Sequence, residues 1–124
     1  MKLLKWFQQL KRKNLNDCYI NGNKKVWKTK TLIEKAKYLQ IFQFPIKSVS
    51  LKESLSWKLE TIEDFCSHLN HVRKADLTKP IILAEDGCVM HGKHKVMKAI
   101  CYGVTHIPAK QFRLTPKCDF KLDD

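Results

Sequence analysis

Pro80-Ile81-Ile82-Leu83-Ala84-Glu85-Asp86-Gly87-Cys88-Val89-Met90-His91-Gly92-Lys93-His94-Lys95 is the stretch that decides the fold of this chain. Pro80 to Ala84 is a short, fully apolar run that reads as a strand. Its proline stands at the first position, where the ladder loses nothing. Glu85-Asp86-Gly87 is a tight-turn signal, and Cys88-Val89-Met90 returns as a second strand. His91-Gly92 then links to a helix expected from Lys93 to about Tyr102, with Val96, Met97, Ala99 and Ile100 as its buried residues. Gly103 is placed to end that helix in the left-handed conformation, and Val104 to Ala109 begins the last strand.

Working outward, the clearest helix starts at Thr61. Thr61 and Asp64 approximate a capping box, and Glu63 and Asp64 suit the positive end of the helix dipole. Ile62, Phe65, Cys66, Leu69 and Val72 form an apolar stripe expected to face the core, with Arg73 and Lys74 at the negative end. Thr31 to Gln40 reads as a further helix, closed by the Pro45 region, and Ile46 to Leu51 alternates as a half-buried strand. Asn21-Gly22 is a turn signal between short apolar runs. Residues 1–13 carry Leu3, Leu4, Phe7 and Leu10 at amphipathic helical spacing. The last residues, from Lys117, read as an exposed tail. Interleaved strands and helices predict an α+β (mixed α/β) domain with a small sheet and flanking helices. The division expected is a basic helical extension over 1–30 and the domain proper over 31–124.

The 124 residues suit one domain, and a 44% hydrophobic content is enough for a core. No apolar run approaches the roughly 18–20 residues needed to cross a bilayer, and the N-terminus lacks the apolar core of an export signal. Five cysteines without a C-x-x-C pair read as reduced thiols. A cytoplasmic location is the expectation. Charge is the strongest compositional signal, with 24 Lys+Arg against 12 Asp+Glu for a net +12. Residues 1–50 hold twelve bases and two acids, whereas 51–124 hold twelve and ten. Lys11, Arg12, Lys13, Lys24, Lys25, Lys28 and Lys30 are accordingly the candidate nucleic-acid contacts. A lysine-rich proteome would produce the same bias with no polyanion partner, since only three of the bases are arginine.

The chemistry-bearing segment is the turn after Met90. A helix N-terminus has backbone N–H groups without internal acceptors and a positive dipole end. Cations there oppose the dipole, so Lys93, His94 and Lys95 together suggest an anion seated among them, with Gly92 permitting close approach. From Ala75-Asp76-Leu77 through Pro80-Ile81-Ile82-Leu83, Asp86-Gly87, Met90 to Lys95, Lys98-Ala99, Gly103 and Ile107-Pro108-Ala109, the chain resembles the ParB/sulfiredoxin-like superfamily. The likeness spans roughly Ile46 to Phe112, and His68, Arg73 and Ala75-Asp76-Leu77 match the helix end that precedes the strand in small stand-alone members.

The resemblance implies nucleotide or nucleic-acid phosphate binding at Gly92, Lys93, His94 and Lys95. A nucleotide with Mg²⁺ is the cofactor class it allows. Three departures bear on activity. His91 replaces the family's acid, Lys95 replaces an arginine and loses its bidentate fork, and Lys93 stands where sulfiredoxins carry the nucleophilic cysteine. They favour a non-enzymatic DNA-associated module. The alternatives are a free-serine-kinase-like phosphotransferase or nuclease with His91 or His94 moving the proton, and a protein-interaction accessory acting through residues 1–13. A homo-oligomer is compatible with the sequence.

No metal site is assigned. Cys88, His91 and His94 have ligand types but straddle a strand-to-helix turn, and His68 and His71, with Asp64, read as a solvated helix face. Trp6, Trp27 and Trp57 read as core or staple residues, with base stacking on Trp6 or Trp27 the alternative.

Overall fold

One strand holds the structure together. In the computed structural model, which describes residues 18–50 and 59–123, Ile81–Leu83 is apolar at every position because both of its faces are covered. Ile81 and Leu83 point into a core with Phe44, Val89, Val96, Ala99, Ile107 and Ala109. Ile82 and the following Ala84 point the other way, among Trp27, Leu32, Ala36, Met90 and Phe112. A strand in this position cannot alternate with polar residues.

The described residues form strands β1 (Cys18–Ile20), β2 (Lys25–Lys28), β3 (Phe42–Pro45), β4 (Ile81–Leu83), β5 (Val89–His91), β6 (His106–Gln111) and β7 (Phe120–Lys121). The helices are α1 (Thr29–Lys35), α2 (Ile62–Lys74) and α3 (Lys93–Tyr102). The mixed α+β class expected from the sequence is what the chain adopts, in two small sheets. One has the order β3-β6-β4-β5, with β4 and β6 parallel and the other pairs antiparallel. The other is the antiparallel set β1-β2-β7. α3 covers one face of the larger sheet through Val96 and Ala99, and α1 with β2 covers the opposite face through Leu32, Ala36 and Trp27.

Several expectations shift. Residues 18–28 are a hairpin joined to the body, its turn held by the Asn21 side chain, which accepts from the N–H groups of Asn23 and Lys25. Helix α1 runs Thr29–Lys35 instead of 31–40. The strand expected over 46–51 lies earlier, at Phe42–Pro45, where it pairs with β6, and Ile46–Ser48 is a 3₁₀ turn. The stretch 1–13, with Trp6, lies outside the described residues, as does Trp57.

The largest correction concerns the C-terminus. The segment read as an exposed tail supplies β7, and Leu122 is only 3% exposed against Val26. Asp119 secures it: its carboxylate accepts from the Lys28 N–H at 2.7 Å and the Thr31 hydroxyl at 3.0 Å, at the start of α1. Lys28 gives α1 no side-chain cap of its own, so the cap comes from the far end of the chain.

The Leu122→Ala variant is expected to lose about 2–4 kcal/mol of stability. Asp119→Ala is expected to lose about 1 kcal/mol, the usual size for a lost helix cap. Both are read from urea denaturation midpoints. A Leu122→Ala protein as stable as the parent would mean that β7 does not form in solution.

Candidate functional site

The strand-to-helix turn behaves locally as the sequence requires. Gly92 takes a left-handed φ of 104° as the N-cap of α3. A Cβ there would come within 2.5 Å of the Ile81 Cγ2 and 3.3 Å of its Cα. Glycine is needed because α3 begins directly on top of β4. At the far end Gly103 closes α3 in the left-handed conformation, as expected.

The three cations after Gly92 go to different places. The Lys95 ammonium points back to the start of β4 and donates to the carbonyls of Pro80 at 3.3 Å and Lys79 at 3.4 Å. Burial pushes its pKa down, partly opposed by the Asp76 carboxylate. Asp76 is itself held below the usual carboxylate range, first by the Thr78 hydroxyl and then by the Thr78 N–H. The Lys93 ammonium lies 5.5 Å from the centre of the Tyr19 ring, on β1. One turn further on, Lys98 donates to the carbonyls of Arg73 and Ala75, both at 2.8 Å, and so caps the C-terminal end of α2.

That tie sets α2 against α3. The capping box at Thr61 and Asp64 is present. Of the apolar stripe expected to be buried, only Val72 turns inward: Ile62 is 85%, Phe65 60% and Leu69 48% exposed. The half-buried positions Asp64, His68 and Val72 recur every four residues and define the face turned to the body. His68 and His71 are thereby carried to α3. The His68 Nδ1 is 3.1 Å from the His94 Nε2. The His94 ring centre is 5.4 Å from that of His68 and 5.2 Å from that of His71. One ring nitrogen from each of the three lies within 4.8 Å of the others.

His94 is half-buried, and its pKa is lowered to about 4, first by burial and then by repulsion from His68 and His71. At neutral pH it is an uncharged imidazole that offers a lone pair instead of a cation.

Sequence reasoning treated His68 and His71 apart from His94. The i, i+3 spacing on a helix was the available signal, and joining the two halves required knowing how α2 packs on α3. Asp64, considered beside those histidines, is used at the helix start, where its carboxylate accepts from the N–H groups of Glu60 and Thr61. The Cys88, His91 and His94 grouping is not assembled. Cys88 turns to the Asp86 carboxylate at 3.4 Å and packs beside the Ile82 face of the core. His91 is half-buried at the end of β5, opposite Ile82. Trp27 is buried and donates through Nε1 to the Pro116 carbonyl at 2.8 Å, so it is a core residue and not a stacking platform. Lys24 is half-buried, and Lys25, Lys28 and Lys30 are exposed. Lys11, Arg12 and Lys13 lie outside the described residues.

Comparison with known proteins adds no relative: no family model, no curated protein and no solved structure matches this chain.

His94 gives stability a pH dependence with a definite sign. The unfolded imidazole takes up a proton near its ordinary value of 6.5, whereas the folded one resists until about 4. Stability is therefore full above the unfolded value and is lost as pH falls between the two. Because the site is half open to solvent, the expected loss is about 1 kcal/mol by pH 5. It is read from urea midpoints at pH 7 and pH 5 with a chelator present. His94→Gln should flatten this difference, and an unchanged slope in that variant would remove His94 as its source.

Proposed function

We propose that this protein is a ParB/sulfiredoxin-like module that binds phosphate-bearing ligands, nucleic acid foremost, in the cytoplasm and without turnover of its own. The observation that carries this reading is continuity. The Lys93 contact with Tyr19 joins the first turn of α3 to the hairpin that bears Lys24, Lys25 and Lys28, with Lys30 just beyond it. The first turn of α3 contains no acidic residue. A polyanion would thus meet a helix N-terminus beside a lysine-bearing hairpin. In keeping with a soluble role, no helix among the described residues is long and apolar enough to cross a membrane.

The cradle suggested by the sequence narrows in this reading. Lys95 is occupied with backbone carbonyls and His94 is neutral, so Lys93 and the hairpin lysines carry the attraction. One observation favours a second reading, a nuclease or nucleotide-dependent phosphotransferase. His94, flanked by two other imidazoles, is in the unprotonated form that a general base needs at physiological pH, although a pKa lowered to about 4 makes it a weak one. Product from a nucleoside triphosphate or nucleic acid in a Mg²⁺-supplemented assay, lost in His94→Gln, would select it over simple binding.

Fluorescence anisotropy with labelled single- and double-stranded oligonucleotides tests the main reading. Binding should weaken by about 10²-fold or more between 50 and 200 mM salt, as expected for several phosphate contacts. Lys93→Glu combined with Lys25→Glu and Lys28→Glu should weaken it at least about tenfold at low salt, because each reversal replaces an attraction by a repulsion. Salt-independent binding, or affinity unchanged in the triple variant, would overturn the proposal.

A further inference from the structure

We propose that His68, His71 and His94 form a binding site for one divalent transition-metal ion of the zinc class, with a solvent molecule as the fourth ligand. The geometry carries this independently of the polyanion reading. Three imidazoles bound to zinc at about 2.0–2.1 Å place their nitrogens roughly 3.3 Å apart in a tetrahedral shell. The His68 Nδ1 and His94 Nε2 are already separated by 3.1 Å. The third nitrogen lies within 4.8 Å, on the exposed His71, so a rotation of that side chain is what ligation requires.

The two helices that bring the rings together are fixed on each other. Lys98 ties the end of α2 to α3, and the Gly92 contact with Ile81 sets where α3 starts. The helix backbones that carry the three rings, and the His68–His94 pair itself, are therefore held in place. His71 is exposed, so solvent reaches this side of the cluster and can supply the fourth ligand.

In the metal-free protein one N–H bridges the rings of His68 and His94. On binding, that proton moves to the far nitrogen of its own ring, and both facing nitrogens present lone pairs to the metal. All-nitrogen ligation without a carboxylate selects zinc, cobalt, nickel or copper over magnesium and calcium, which prefer oxygen.

The test uses the full chain after chelator treatment, titrated with Co²⁺ alone and followed by absorption, with Zn²⁺ displacing it. One equivalent of Co²⁺ should bind, giving visible d–d bands without the near-ultraviolet charge transfer of a thiolate ligand. The exposed cysteines are controlled by a Cys66→Ser, Cys101→Ser double variant, which should bind as the parent does. His71→Ala, at an exposed position, should keep the metal-free melting temperature and lose at least about tenfold in affinity, with His68→Gln as a second variant. Absence of binding at micromolar Zn²⁺, a thiolate band, or a site that survives His71→Ala would each overturn the proposal.

Discussion

No side chain can stand between Gly92 and Ile81. A Cβ on Gly92 would meet the Ile81 side chain at 2.5 Å, and the left-handed φ of 104° disfavours any other residue there as well. This close approach lets α3 rise directly from the end of β5 and lie across β4, so that Val96 and Ala99 close the core over Ile81 and Leu83. Everything proposed for function depends on it. His94 is two residues beyond the contact, and a helix displaced by the bulk of one methyl group would carry its ring away from His68.

The lysines explain how a helix can begin with cations. Positive side chains at a helix N-terminus are unfavourable unless something compensates them. The compensation seen here for Lys95 comes from two backbone carbonyls at the start of β4, with the Asp76 carboxylate adding to it. Lys98 serves the C-terminal carbonyls of α2, and Lys110 does the same for α1 through Ala36 at 3.1 Å and Lys37 at 3.3 Å. Part of the basic surplus is therefore structural: lysine stems cross the gap between elements and place an ammonium where carbonyls would otherwise lack donors. Arguments from net charge to a polyanion partner must therefore discount the lysines used in this way.

What the sequence made legible follows from locality. The run from Pro80 through the glycine turn into α3 was readable because strand, turn and cap residues each act within a few positions, and the Thr61 capping box was readable for the same reason. The largest errors are non-local. Nothing in Phe120 and Leu122 announces a strand, because β7 exists only by pairing with β2, nearly a hundred residues away. The stripe of Ile62, Phe65, Leu69 and Val72 has a sound helical period, yet α2 packs so that only Val72 of these is half-buried and His68 turns inward beside it. Periodicity predicts that a helix has a face, whereas tertiary partners decide which face is used.

The histidine cluster meets two electrostatic demands at once. It lies in a chain of net charge +12, next to Lys93 in sequence, where three protonated rings would repel each other and the lysine. Burial and mutual repulsion resolve this by keeping His94 neutral, and the His68–His94 hydrogen bond needs at least one ring to present a lone pair. Protonating all three would break that bond and push α2 away from α3, against the hold of Lys98. The same constraint that keeps His94 neutral leaves it with a lone pair at neutral pH, which is the form a metal would require of it. A cation bound there would restore positive charge at the mouth of α3 without a proton, and so strengthen the attraction of that helix start for a phosphate.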